Sequence, residues 1–232
     1  AGGRMLLSLL LPITLVVMTT LGAYYPAVDV AAGERERRTV ETTLSQPRKP
    51  LELVFAKLGT VVLAACLSLV LNLASMFLAA RLIAPPEASG LLFTIEPGAL
   101  VLLLMSGFGF AVLSSATLLA MAFRATSFRE AQSTAGAVYG LGIVPALIAV
   151  VPGIELTPAL ALVPVANVAM VIKALFRGSL DAGSYALFAV STVLLACLMV
   201  ALCARSVGDP ERWLKMAKTR RSNPTSPERR RP

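Results

Sequence analysis

The chain has 232 residues, of which 56% are hydrophobic and 15% charged, with 21 Lys and Arg against 13 Asp and Glu. A soluble domain usually has about 25% charged residues, so an ordinary globular enzyme is not expected. The sequence contains no histidine, which excludes Ser-His and Cys-His catalysis and most zinc sites. Its three cysteines lie in apolar runs without CxxC spacing, so neither a metal site nor a disulfide framework is expected. The composition indicates an integral membrane protein.

Long uncharged runs define the predicted fold. A helix needs about 20 apolar residues to cross the hydrocarbon core. Five runs are long enough: Met5–Val28, Leu58–Ala80, Pro97–Phe123, Ala131–Ile154 and Ala182–Ala204. A sixth run, Leu156–Ile172, is shorter and contains Pro158 and Pro164, and proline kinks a helix and removes a backbone donor. We therefore predict an all-α integral membrane fold of about five transmembrane helices plus a proline-broken re-entrant or interfacial helical hairpin.

The distribution of Lys and Arg sets the expected orientation. With five spans and the amino end outside, the basic residues between 35 and 57, those at 124 and 129, and the basic tail all lie inside. A sixth crossing would place the tail outside, so the five-span arrangement is favoured. We expect a multi-pass protein of the cell inner (plasma) membrane, with its N-terminus outside and its C-terminus in the cytoplasm.

This topology divides the chain into two predicted parts. Residues 1–205 form a transmembrane domain with a cytoplasmic segment at 31–50, a second inner loop at 124–133 and an outer hairpin at 152–181. Residues 206–232 are rich in Pro, Ser and Arg and predict a disordered cytoplasmic tail. The positive-inside pattern accounts for this basic tail, so nucleic acid is not an expected partner.

The first cytoplasmic segment contains GERERRTVETTL at residues 33–44. Glu34 and Arg38, and likewise Arg37 and Glu41, are opposite charges at i,i+4 spacing, which predicts a short charged surface helix that begins at Gly33. The pattern alone leaves two interpretations open: a solvated linker helix, or a contact surface for a partner.

This segment resembles the G-E-(K/R)-E-(R/H)-x-T-(L/M)-E-x-L signature of permeases of type-2 ABC exporters, especially the sodium-extrusion (Nat-type) group. The matching positions are Gly33, Glu34, Arg35, Glu36, Arg37, Thr39 and Glu41. The sequence departs from the signature at Arg38, Val40 and Thr43. SFREAQS at residues 127–133 is similar to the SF(K/R)EAQS segment of the same permeases. The P-G-x-E-L turn at 152–156 and Pro164, Val165 and Asn167 follow in the family's order.

The resemblance covers roughly residues 5–205 and implies a function. It implies the membrane subunit of an ATP-driven exporter, whose inner segments dock against a separate P-loop ATPase subunit and whose path forms with a second permease copy, in a homodimer or heterodimer. The implied ATPase-coupling residues are Gly33, Glu34, Arg35, Glu36, Arg37, Thr39, Glu41, Phe128 and Glu130. The family's first span and outer domain would precede Ala1, so we expect a C-terminal portion of a permease. Sodium is the substrate that the subgroup suggests, with lipids, peptides and drugs as alternatives.

Missing motifs limit the chemistry of the chain itself. It contains no GxxxxGK(S/T) phosphate loop, so ATP and Mg²⁺ are expected on the partner ATPase and the chain is expected to be a transport subunit rather than an enzyme. No cofactor or metal is expected to bind the chain. A non-transporting membrane scaffold, or a truncated permease fragment, is the alternative function.

Two asparagines within apolar runs are further candidates. Polar groups inside a membrane often mark a substrate path, and Asn72 and Asn167 are the candidates for such a path. An uncharged amide more often forms a hydrogen bond between helices, and this is the structural alternative for Asn72.

Overall fold

The computed structural model describes residues 2–33, 50–83, 97–125, 127–151 and 153–207. Within these ranges the chain forms helices and no strand. The helices are α1 Gly2–Val28, α2 Pro50–Ile83, α3 Pro97–Arg124, α4 Phe128–Ala146, α5 Pro158–Leu162, α6 Ala166–Arg177 and α7 Ala182–Val207. One π-helical turn, Asp29–Gly33, continues α1, and one 3-10 turn, Leu147–Val150, continues α4.

Five segments of this fold are long and apolar enough to cross a membrane: Leu10–Gly33, Glu52–Ala79, Gly98–Arg124, Phe128–Val150 and Ala182–Arg205. They correspond one to one with the five predicted spans, so the predicted fold class is confirmed. Successive spans run in opposite directions, which gives the molecule two ends. We call the end that contains Gly33 and the start of α4 the Gly33 end, and the opposite one the hairpin end.

Helix α1 lies at the centre of the bundle, where it packs against α2, α3, α4 and α6. Its side chains contribute to both buried clusters of the core. The cluster at the Gly33 end is rich in alanine and includes Ala27, Ala31, Ala65 and Ala135. The cluster at the hairpin end contains larger side chains: Leu11, Leu15, Leu103, Phe110, Met170, Ile172 and Phe188. Small side chains let helix backbones approach closely, and the buried residues at the Gly33 end are mostly of this kind.

The proline-containing run forms α5 and α6, two short helices on one end of the bundle. At about 1.5 Å per residue, the 12 residues of α6 extend about 18 Å, which is short of the roughly 30 Å hydrocarbon core. Asn167, near the start of α6, contacts Ser191 of α7. Ser191 is nine residues beyond Ala182, or about 14 Å along α7. The hairpin therefore enters the bundle and returns, as a re-entrant hairpin does.

The turn between α5 and α6 has an unusual backbone. Val165 has φ 69° and ψ −48°, and the Ala166 N–H donates to the Pro164 carbonyl at 2.8 Å. These values define a γ-turn of the rare type, which is strained, above all at a β-branched residue. The turn reverses the chain within three residues, and this reversal brings α6 back towards the surface.

The observed helices extend beyond the uncharged runs at the Gly33 end. α2 begins at Pro50, not Leu58, and so includes Glu52 and Lys57. α4 begins at Phe128, not Ala131, because the side chain of Ser127 caps it. Gly33 ends the π-helical turn after α1, where the sequence predicted the start of a surface helix. Charged residues are compatible with these helix ends because they lie at the edges of the apolar spans.

Several predictions fall outside the described residues. These are the surface helix after Gly33, with the coupling residues Glu34, Arg35, Glu36, Arg37, Thr39 and Glu41, and most of the basic tail. They stay predictions.

Helices α1 and α2 approach each other closely at Gly22. A Cβ atom at this position would overlap the Cβ of Ser68 and lie 3.3 Å from the Ala64 carbonyl oxygen. We therefore expect Gly22→Ala to push the two helices apart and lower the free energy of unfolding by about 1–3 kcal/mol. The measurement is a denaturant or thermal unfolding curve in detergent. Gly59→Ala on the exposed side of α2, where a Cβ would meet nothing, is the control and should be neutral or stabilising. Equal stability of the two variants would contradict this packing.

Candidate functional site

The candidate site is the Gly33 end, where the two segments with family-like motifs leave the bundle. The π-helical turn Asp29–Gly33 packs against α3 and α4. Its last three residues, Ala31, Ala32 and Gly33, are buried. A Cβ at Gly33 would lie 2.6 Å from Asp29 Oδ1, so a side chain at this position would displace the Asp29 carboxylate. The segment that begins at residue 34 therefore leaves from a fixed, buried point.

Lys57 holds this turn against α2. Its Nζ donates to the Val30 carbonyl at 2.8 Å and lies 5.6 Å from the centroid of the Phe123 ring. The side chain is only 9% exposed, so the charge depends on these contacts rather than on bulk water. A buried ammonium that bonds a carbonyl near the end of α1 also compensates the negative end of the helix dipole. Lys57 thus joins α1, α2 and α3 at one point.

The second loop begins α4 with an ordinary helix cap. The Ser127 hydroxyl accepts a hydrogen bond from the Glu130 N–H at 3.1 Å, and Ser127 and Glu130 have the S-x-x-E spacing of a capping box. Phe128 packs against the buried cluster of the Gly33 end, while Arg129 and Glu130 are exposed. The motif therefore serves helix initiation and also places two exposed charges of opposite sign at the start of α4.

The structure brings together three of the predicted coupling residues. Gly33 lies in the turn that contacts α4, and Phe128 and Glu130 lie in the first turn of α4. A further contact joins α1 to α4, since the Tyr24 hydroxyl donates to the Gln132 carbonyl at 3.0 Å. The turn that ends at Gly33 and the start of α4 are therefore parts of one corner of the bundle.

The two candidate path residues have different surroundings. The Asn167 amide nitrogen lies 3.4 Å from both the Ser191 and Thr192 hydroxyl oxygens, and its Oδ1 accepts from the Val168 N–H at 2.7 Å. Asn167 is therefore an anchor between α6 and α7. Asn72 is partly buried on α2, and its Oδ1 is buried without a hydrogen-bond partner in the described part of the chain.

Sequence reasoning did not single out two residues that organise this site. These are Asp29, whose carboxylate lies against Gly33, and Lys57, which holds the turn against α2. The position of Lys57 gave a signal, because it lies on the same helical face as Val54, Leu58 and Val61, all buried. A lysine on an apolar face predicts a buried partner for its charge.

Comparisons with protein-family models, with curated proteins and with solved structures found no match. The family assignment therefore stays a hypothesis that depends on the motifs in the sequence.

Removing the Lys57 charge tests how the turn is held. Lys57→Met keeps the apolar stem but removes the hydrogen bond to Val30 and the contact with Phe123, so we expect faster amide hydrogen exchange in residues 29–33 with unchanged exchange in 166–172. A charged hydrogen bond contributes about 1.5–3 kcal/mol, which predicts about tenfold faster exchange or more. Thr60→Ala, one turn later on the exposed side, is the control. Unchanged protection of 29–33 in the methionine variant would show that Lys57 does not hold the turn.

The asparagines allow a matched comparison. Asn167→Leu breaks hydrogen bonds to α7 and leaves the Ser191 and Thr192 hydroxyls without this partner, so we expect a loss of about 1–3 kcal/mol in the free energy of unfolding. Asn72→Leu removes an oxygen that is buried without a partner, so we expect no loss. Unfolding curves of both variants in detergent provide the test. A greater loss for Asn72→Leu would mean that Asn72 has the more important partner.

Proposed function

We propose that this chain is the membrane-spanning permease subunit of an ATP-driven ABC-type exporter, which couples ATP hydrolysis by a separate ATPase subunit to substrate export. The observation that supports this most is the convergence at the Gly33 end. The segments whose motifs resemble the family's coupling elements begin at neighbouring points of one buried corner. A partner that bound both segments would act on the bundle at a single place.

The packing of α1 offers a physical route for coupling. α1 ends at the Gly33 turn, packs along its length against α2, α3 and α4, and contacts the re-entrant hairpin through α6. A displacement of the turn by closure of two ATPase subunits would move α1 and hence the hairpin at the other end. In this proposal the spans then rearrange, in alternating access, around a path formed with a second permease copy.

Further parts of the proposal follow from the motifs and the charges. ATP and Mg²⁺ bind the partner ATPase, while Glu34, Glu36, Arg37 and Glu130 supply contacts to it. The proposed location is the cell inner membrane, with the Gly33 end and the C-terminus in the cytoplasm. Sodium is the proposed substrate, because the first motif most resembles that of the sodium-extrusion group.

Charge reversal in the first segment tests the coupling role. Glu34→Lys combined with Glu36→Lys places two positive charges in a predicted docking surface, so we expect at least about tenfold less P-loop ATPase to co-purify with the tagged chain in mild detergent. The host membrane is the source of the partner, and protease protection checks that the variant inserts normally. Glu155→Lys at the opposite end of the molecule is the control, because Glu155 is exposed and its reversal is the same substitution made once instead of twice.

The outcomes separate the two candidate functions. Loss of the ATPase only in the Glu34/Glu36 variant supports the exporter. Absence of any co-purifying ATPase, under conditions that preserve other membrane complexes, would favour a non-transporting membrane scaffold. Full retention of the ATPase by the Glu34/Glu36 variant would exclude the proposed docking surface.

A further inference from the structure

A small cleft lies at the hairpin end, between the segment that follows α4 and the outward half of α6. Its polar groups come from Glu155, Lys173, Arg177 and Ser179, and its floor is formed by apolar side chains that include Met170. The empty space is about 180 Å³, including the open mouth. Most of this space is open to solvent, so the cleft is a shallow depression that can meet a single chemical group but cannot enclose a solute.

Lys173 is the unusual member of this cleft, because it is a cation with only 2% of its surface exposed. Its Nζ donates to the Val151 carbonyl at 2.9 Å, which uses one of the three ammonium hydrogens. Burial lowers the pKa of Lys173, and the like charge of Arg177 lowers it further. A buried cation beside a second cation is unfavourable, and an anion that contacts both would stabilise the charged form of Lys173.

The position of the cleft along the length of the spans indicates which kind of anion could bind there. Val151 directly follows the span Phe128–Val150, and Ser179 shortly precedes the span Ala182–Arg205. The Lys173 nitrogen is therefore level with the ends of two apolar spans, where the hydrocarbon core gives way to the headgroup region. Phosphate groups are the anions that a bilayer holds at this level, and Lys and Arg are the usual residues that bind them.

We propose that this cleft is a binding site for a phosphate group, held between Lys173 Nζ and the Arg177 guanidinium, with the Ser179 hydroxyl as a further donor. Arg177 is exposed and Lys173, one helical turn earlier on α6, is buried, so the site combines an accessible cation with a buried one. The source is either a phospholipid headgroup or free inorganic phosphate. The proposal is independent of the exporter assignment, because it uses only residues of the hairpin end.

Glu155 shapes the specificity of this site. Its carboxylate is exposed and lines the same cleft, so it repels an anion at the mouth without neutralising the buried ammonium. Glu155→Gln removes this repulsion without changing the size of the side chain. We expect this variant to bind phosphate more tightly than the wild type.

The test uses the purified full chain in a neutral detergent, with the thermal unfolding temperature as the measure of binding. Inorganic phosphate is one probe, and short-chain dihexanoyl phosphatidylglycerol is the other, with dihexanoylglycerol as the analogue without phosphate. We expect Lys173→Met and Arg177→Gln each to weaken binding by roughly tenfold or more, since each removes charged hydrogen bonds. Arg205→Gln, which removes an exposed arginine at the Gly33 end, should bind like the wild type.

Each result is informative. Binding of inorganic phosphate identifies a free anion site, and binding of the phospholipid alone identifies a headgroup site; both support the proposal. No stabilisation by either probe, or equal stabilisation of the wild type and the Arg177→Gln variant, would overturn it. If Lys173→Met does not fold, Arg177→Gln decides the matter, because Arg177 is exposed and its replacement leaves the core intact.

Discussion

The close packing of α1 against its neighbours is the constraint on which the rest of this structure depends. Lipid tails are as apolar as the helix surfaces, so helices in a membrane associate through close van der Waals contact rather than hydrophobic burial. Gly22 and the buried alanines of α1, among them Ala23 and Ala27, provide that contact. Because the same helix reaches both buried clusters, it connects the Gly33 end to the hairpin end through continuous packing.

Polar groups in the interior determine where the backbone can depart from a regular helix. Irregular backbone at membrane depth needs cover from protein, since lipid offers no hydrogen bonds. The turn at Val165 meets this condition: Asn167 binds α7, and the Ser191 hydroxyl lies 3.0 Å from the Ala161 carbonyl of α5. A strained turn costs of order 1–3 kcal/mol and persists only when its surroundings fix it. The polar contacts to α7 hold this turn in place, and they thereby fix the position of the hairpin in the bundle.

The sequence predicted the five spans and the hairpin because each depends on a property that is local in the chain. Long apolar runs predict spans, and the pair Pro158 and Pro164 predicts a break. The start of α4 could also have been predicted, since Ser127 and Glu130 have the capping-box spacing. The π-helical turn and the strained backbone of Val165 could not have been predicted, because they depend on contacts with other helices. The spans therefore followed from local pattern, whereas the turn at Gly33 and the contacts of Lys57 depend on tertiary packing.

Two buried lysines in the described part of the chain make similar contacts but have different surroundings. Lys57 and Lys173 each donate to a carbonyl near the C-terminal end of a helical segment, Val30 after α1 and Val151 after α4. In both cases the negative end of a helix dipole stabilises the positive charge of the lysine. Their surroundings differ, because Lys57 also faces the electron-rich Phe123 ring, whereas the neighbouring charge at Lys173 is that of Arg177. The first arrangement satisfies its cation within the protein, as a structural joint requires. The second concentrates positive charge in a cleft that opens outward, as a binding site for an anion requires.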